Sequence, residues 1–138
     1  MYKIGYTTGV FDLFHIGHLN ILKRAKENCE YLIVGVTTDE LTFERKNKHP
    51  VIPFDERVEI VKAIRYVDEV VPQVDMNKLI AWQQYQFNAV FAGDDWKGTE
   101  SWNNYENDFK KVGVDIVYFS YTKHTSSTML AEFIAKGN

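Results

Sequence analysis

A chain of 138 residues suits one domain around one core, and its 45% apolar and 25% charged composition is that of a soluble globular protein. A net charge of -3 does not favour nucleic acid as a partner, so any basic character must be local. There is no secretory signal, and no apolar run approaches the roughly 18 residues of a membrane span, so a cytoplasmic protein without membrane insertion is expected.

In chain order, residues 3–8 and 31–37 read as strands, with an amphipathic segment containing Leu19, Ile21, Leu22, Ala25 and Lys26 between them. Cys29 ends that segment. As the single cysteine it cannot form an intramolecular disulfide, and it reads as a small core or surface residue. Residues 42–53 are polar and basic and end in two prolines; no strand fits there, and the segment predicts a mobile loop or a fraying helix end. A helical pattern follows at 54–65, then a short apolar run at 67–71, a helix at 76–86, a run at 89–92, a helix near 100–111, a run at 114–119 and a last helix at 126–136. Strands spaced by helices predict βαβ units. The fold class is therefore α/β: a single domain over 1–138 with a Rossmann-like, doubly wound, five-stranded parallel sheet and helices on both faces. In such a sheet ligands gather beyond the carboxyl ends of the strands, so functional residues should directly follow strands.

Five stretches qualify. Between the first strand and helix, Gly9 permits close backbone approach, while His15 and His18 flank Gly17 at a helix start. Free N–H groups there favour an anion, and the imidazoles can donate to phosphate oxygens; the plainer alternative is a pair of surface histidines beside a turn glycine. A metal site is disfavoured, because no cysteine or third histidine lies close in sequence. Arg57 and Arg65, eight apart, would share one helix face, either for anion binding or as a solvated charged surface. After the fourth strand, Asp94 and Asp95 could accept from ribose hydroxyls, bind a cation or cap a helix, and Trp96 could stack on a base or fill the core. Near the end, the hydroxyls of Thr125, Ser126, Ser127 and Thr128 cluster at a helix start beside Lys123, more of them than capping requires. Arg45, Lys46 and Lys48 are either a solvated charge run or a phosphate clamp.

The decamer Gly9-Val10-Phe11-Asp12-Leu13-Phe14-His15-Ile16-Gly17-His18 resembles the signature of the HxGH nucleotidyltransferases, and more narrowly that of the cytidylyltransferases that activate alcohol phosphates. The resemblance runs from Tyr6 to about Leu130. It implies that His15 and His18 contact the nucleotide phosphates and stabilise the transition state, with Thr8, Gly9, Val10 and Phe11 around the nucleotide. Val10 stands where relatives carry threonine. The segment from Ile64 to Val70 resembles the family stretch whose arginine, here Arg65, supports substrate and phosphate binding; Arg57 is grouped with it. Gly93-Asp94-Asp95-Trp96 is similar to the glycerol-3-phosphate cytidylyltransferases and implies nucleotide contacts from Asp94 and Trp96. In the family's Arg-Thr-x-Gly-x-Ser-Thr segment, Thr122, Ser126 and Ser127 match, with Thr125 beside them. Tyr121 replaces the arginine and His124 the glycine, leaving Lys123 to supply the positive charge. The family's loop lysines, matched among Arg45, Lys46 and Lys48, reach phosphates.

The resemblance thus implies transfer of a cytidylyl group from CTP to an alcohol phosphate, foremost glycerol 3-phosphate, giving CDP-glycerol for a teichoic-acid-like polymer or capsule. Mg2+ bound with CTP and a homodimer are implied too. Another alcohol or sugar phosphate, ATP in place of CTP, and a non-catalytic nucleotide-binding regulator are the alternatives. The nucleophile is already an anion, so the work falls on positioning and cationic donors.

Overall fold

In a computed structural model, which describes residues 1–120 and 126–137, the chain runs β1 (Tyr2–Gly9), α1 (Ile16–Glu27), β2 (Cys29–Thr37), α2 (Asp39–Lys46), α3 (Phe54–Lys62), β3 (Glu69–Gln73), α4 (Lys78–Tyr85), β4 (Ala89–Gly93), α5 (Glu100–Lys111), β5 (Asp115–Phe119) and α6 (Ser127–Gly137). The strands form one parallel sheet in the order β3-β2-β1-β4-β5. The chain winds from β1 outward to β3, then crosses to β4 on the other side of β1. This is the doubly wound, Rossmann-like arrangement, with its switch point between β1 and β4.

Alternation along the strands divides the core in two. Leu32, Val34, Val36, Ala89 and Phe91 face Leu22 and Ala25 of α1 and Val61 of α3. Ile33, Val90 and Ala92 face the opposite side, with Tyr6, Phe87, Trp102 and Phe109. Both faces of a parallel sheet are covered, which explains why its strands read as short continuous apolar runs. Among the described residues, no helix is long and apolar enough to cross a membrane.

Four boundaries are refined or moved relative to the sequence reading. Residues 42–46 form the end of α2, the helix-end alternative of the two expected, and 47–53 follow outside it. Thr38 caps that helix, its hydroxyl accepting from the Leu41 N–H at 3.2 Å, and Asn47 ends it in the left-handed region at φ 55°. The helix expected over 54–65 stops at Lys62, because the chain then bends through successive turns to bring Ile64 and Val67 against the core. Arg65 is therefore not helical. The strand expected at 67–71 lies at Glu69–Gln73 and includes Pro72, which is tolerated because β3 is an edge strand. Cys29 starts β2 rather than ending α1; it is buried, its thiol donating to the Ala25 carbonyl at 3.3 Å.

Gly35 shows how tightly the β1–β2 layer is packed. A Cβ there would lie 2.6 Å from the Tyr6 hydroxyl oxygen and 3.1 Å from Thr8 Cγ2. Tyr6 cannot easily yield, since it is 1% exposed and stacks on Phe87 with centroids 4.6 Å apart. Gly35→Val should therefore cost about 1–3 kcal/mol by overpacking. Urea unfolding would show a lowered midpoint at unchanged slope; an unchanged midpoint would contradict this packing.

Candidate active site

The carboxyl ends of all five strands border one cleft of about 890 Å³. Thr7, Thr8 and Gly9 of β1, Thr37 of β2, Gln73 of β3, Ala92 and Gly93 of β4 and Phe119 of β5 all line it. Its volume lies within the usual range for small-molecule sites.

The corner from β1 to α1 is locally unusual. Phe11 and Leu13 have φ of 54° and 50°, a region that bulky side chains rarely adopt. The Phe11 ring explains why residue 9 is glycine: a Cβ at Gly9 would press on that ring at 3.0 Å. His15 is the N-cap of α1 and His18 occupies its third position. His15 Nδ1 accepts from the Gly17 N–H at 3.0 Å, and His18 Nδ1 accepts from the His15 N–H at 3.3 Å. This is a capping box built from two imidazoles. Because each Nδ1 accepts, the proton of each neutral ring resides on Nε2. The rings stack with centroids 3.9 Å apart, and the edge of the Phe11 ring system braces His18 at 5.3 Å. On the far side, the Ser127 hydroxyl donates to the Asp12 carbonyl at 2.5 Å and lies 3.5 Å from His18 Nε2. The start of α6 is thereby tied to the histidine corner.

The basic segment is held in place by two charged residues. Arg57 is completely buried. Its Nε donates to the Ile52 carbonyl at 2.9 Å, Nη1 to the carbonyls of Val10 and Thr37 at 2.6 and 2.8 Å, and Nη2 to Asp39 at 2.6 Å. Asp12 is the complementary clamp, its carboxylate accepting from the N–H groups of Val51 and Ile52 at 2.8 and 2.9 Å. The exposed side chains of Arg45, Lys46 and Lys48 all border the cleft.

Of the residues singled out from sequence, the cleft brings together Thr8, Gly9, Val10, Phe11, His15, His18, Arg45, Lys46, Lys48, Trp96, Ser126 and Ser127. Thr122, Lys123 and Thr125, with Tyr121 and His124, lie outside the described residues. Three further candidates lie outside the cleft lining. Arg57 is one: its guanidinium is buried and bonded to three backbone carbonyls and Asp39. Arg65 lies outside the cleft lining: it precedes β3, at the opposite end of that strand from the site, exposed and bonded to the Tyr66 hydroxyl. Asp94 also lies outside the lining; it opens a short 3-10 turn, and the next two residues, Asp95 and Trp96, meet the cleft instead.

The cleft also contains Asp12 and Lys78, to which the sequence patterns assign no role. Lys78 follows β3 and occupies the first turn of α4, where the helix dipole disfavours a cation. That electrostatic misfit was the available signal.

Among the described residues, no group of three or more histidine, cysteine or acidic side chains could hold a metal. The acidic residues bordering the cleft are Asp12, whose oxygens already accept backbone N–H groups, and Asp95. Such a donor set suits Mg2+ that arrives on nucleotide phosphates with at most one protein carboxylate, rather than a resident ion.

The two arginines make the structural assignment testable. Arg57→Met should destabilise the fold by about 3–5 kcal/mol, since it strands buried carbonyls and Asp39. Arg65→Ala should leave the unfolding midpoint where it was. Equal midpoints for the two variants would refute the distinction.

A cytidylyltransferase-like family model matches residues 6–133. Glycerol-3-phosphate cytidylyltransferase of Bacillus subtilis is 35% identical over 136 residues, covering 94% of this chain and 95% of that protein. FAD synthase of Pyrococcus abyssi is 51% identical over 63 residues, 46% of this chain and 43% of that protein. The crystal structure of a lipopolysaccharide core biosynthesis protein from Thermoplasma volcanium, 22% identical, shares the fold with a TM-score of 0.73 over 91% of this chain and 100% of that one. With the paired imidazoles at the head of α1 and the cationic cleft beyond the strand ends, these likenesses show that the chain belongs to the cytidylyltransferase-like family and is a nucleotidyltransferase of that kind.

Proposed function

We propose that this enzyme transfers a cytidylyl group from CTP to glycerol 3-phosphate, releasing pyrophosphate and CDP-glycerol. The observation that carries the reading is the pair of stacked, helix-capping imidazoles, whose Nε2–H groups stand at a cleft rimmed by Arg45, Lys46 and Lys48. The near full-length likeness to glycerol-3-phosphate cytidylyltransferase supports the alcohol.

In this reading a phosphate oxygen of glycerol 3-phosphate attacks the α-phosphorus of CTP. The new O–P bond forms as the bond from the α-phosphorus to the bridging oxygen of pyrophosphate breaks. No general base is required. The His15 and His18 Nε2–H groups donate to the phosphoryl oxygens as charge develops. Ser126 and Ser127, at the start of α6, with Thr122, Thr125 and Lys123, receive the triphosphate. Arg45, Lys46 and Lys48 draw the two anions together, and Trp96 packs against the nucleotide. Mg2+, when bound with CTP, neutralises phosphate charge. Arg65 and Asp94 lie outside the cleft lining and take no part in this scheme. A homodimer, a cytoplasmic location and supply of a teichoic-acid-like polymer or capsule complete the reading.

A second reading, adenylyl transfer from ATP, is favoured by the local 51% identity to an FAD synthase. Pyrophosphate release from each nucleoside triphosphate, measured with and without glycerol 3-phosphate, separates the two. Release that requires both CTP and glycerol 3-phosphate is expected; turnover with ATP alone would overturn the cytidylyl reading.

His18→Ala should lower kcat by about 10²–10³, the usual effect of losing one transition-state donor. Loss of the cap costs at most about 2 kcal/mol, so the variant should remain folded by circular dichroism. An unfolded variant, or one with full turnover, would count against a catalytic His18.

A further inference from the structure

Between α2 and α3 the basic segment is fastened at two places, and Lys48 and His49 lie between them. At the near end Asn47 closes α2 in the left-handed region at φ 55°, its N–H donating to the Phe43 carbonyl at 2.8 Å. At the far end the Asp12 carboxylate holds the N–H groups of Val51 and Ile52. Among the described residues, no hydrogen bond to or from the backbone of Lys48 or His49 is seen. One side-chain contact crosses the gap. The His49 ring lies on the Phe43 ring, with centroids 4.6 Å apart and planes 16° from parallel. Phe43 sits in the last turn of α2, 43% exposed, and belongs to neither core cluster. It does not line the cleft, whereas His49 does, together with Lys46 and Lys48.

We propose that His49 is a positioning residue for the phosphate-facing lysines: its ring, seated on Phe43, folds the turn at 47–50 back against α2 and holds Lys46 and Lys48 at the edge of the cleft. This rests on the reading of those lysines as the groups that draw the anions together. A lysine carries its charge on a flexible stem, so the backbone decides which volume the ammonium can search. A turn that ordered itself only as the anions arrived would subtract its lost backbone freedom from their binding; the stack removes that freedom in advance. The acting part of His49 is the flat face of the ring, not its nitrogens. A phenylalanine can therefore replace it, and an alanine cannot. Because both rings lie at the surface, losing the contact frees the turn without opening the core.

The experiment applies limited trypsin digestion, urea unfolding and steady-state kinetics to wild type, His49→Ala, His49→Phe, Phe43→Ala and the double alanine variant. Cleavage after Lys46 is the bond to follow, since residue 49 is not adjacent to it. His49→Ala and Phe43→Ala should each speed that cleavage by about fivefold at an unchanged urea midpoint. Each should raise KM for CTP or glycerol 3-phosphate by about tenfold and leave kcat within about twofold, as expected for a loss of binding geometry alone. His49→Phe should match wild type in both assays. The double variant should be no worse than either single one, because both substitutions remove the same contact. Wild-type cleavage and KM in folded His49→Ala would overturn the proposal. So would a His49→Phe variant as impaired as His49→Ala, which would assign the effect to the imidazole nitrogens. Wild type without turnover on CTP and any alcohol phosphate would instead overturn the underlying function, and the cleavage rates would then decide the stack by themselves.

Discussion

One buried guanidinium governs the geometry of the cleft. The ends of β1 and β2 and the loop before α3 converge here, and the carbonyls of Val10, Thr37 and Ile52 all turn to one guanidinium. Buried acceptors of that kind are costly unless met by a donor. Arg57 meets all three, and its charge is balanced by Asp39 at 2.6 Å. Lysine could not replace it, since a single ammonium lacks the planar fork that reaches several directions at once. Asp12 performs the reciprocal task for the N–H groups of Val51 and Ile52. Ile52 is thus gripped from both sides, its N–H by Asp12 and its carbonyl by Arg57. The basic segment before it is anchored through that residue to the histidine corner.

The same economy appears at α1. A helix start needs acceptors for its first N–H groups, and serine or aspartate usually supplies them. Here the imidazoles of His15 and His18 do so, and the capping bonds dictate which ring nitrogen keeps the proton. Structural and chemical requirements meet in one pair of side chains. The unfavourable φ values at Phe11 and Leu13 fit this view, since they belong to the turn that delivers the histidines to the helix start.

Much of the fold was legible because periodicity reports burial. Short apolar runs at 31–37, 89–92 and 114–119 became β2, β4 and β5, and the five strands form the parallel, doubly wound sheet that their spacing implied. Boundaries failed where tertiary packing overrode local pattern. The arginines at 57 and 65 have helical spacing, yet the chain leaves the helix at Lys62 so that Ile64 and Val67 can pack. The histidines, the basic segment and Ser127 could be gathered from the rule that ligands sit beyond strand ends. Arg57 could not be placed by that rule. Its role depends on three carbonyls from separate segments, and nothing in a one-dimensional pattern marks an unpaired carbonyl. Lys78 was hidden for a related reason: its aromatic partners, Trp102 and Tyr105, lie more than twenty residues away on α5, and sequence spacing does not reveal that they meet.

The overall charge of -3 and the chemistry of the cleft point in opposite directions, and the fold reconciles them. Among the described residues bordering the cleft, Arg24, Arg45, Lys46, Lys48 and Lys78 face only Asp12 and Asp95 in opposing sign. Asp12 is further offset, because both of its oxygens accept backbone N–H groups. The field inside the concavity is therefore positive although the molecule as a whole is negative. Low-dielectric walls concentrate such a field, whereas the scattered surface acids act through solvent and salt. A site that must bring two phosphate anions together needs this local excess rather than a basic protein. The fold anchors the backbone that follows the basic segment through Arg57 and Asp12, and it seats Lys78 between the rings of Trp102 and Tyr105. The backbone that carries the charges is thus set before the anions meet, which leaves less reorganisation for that moment.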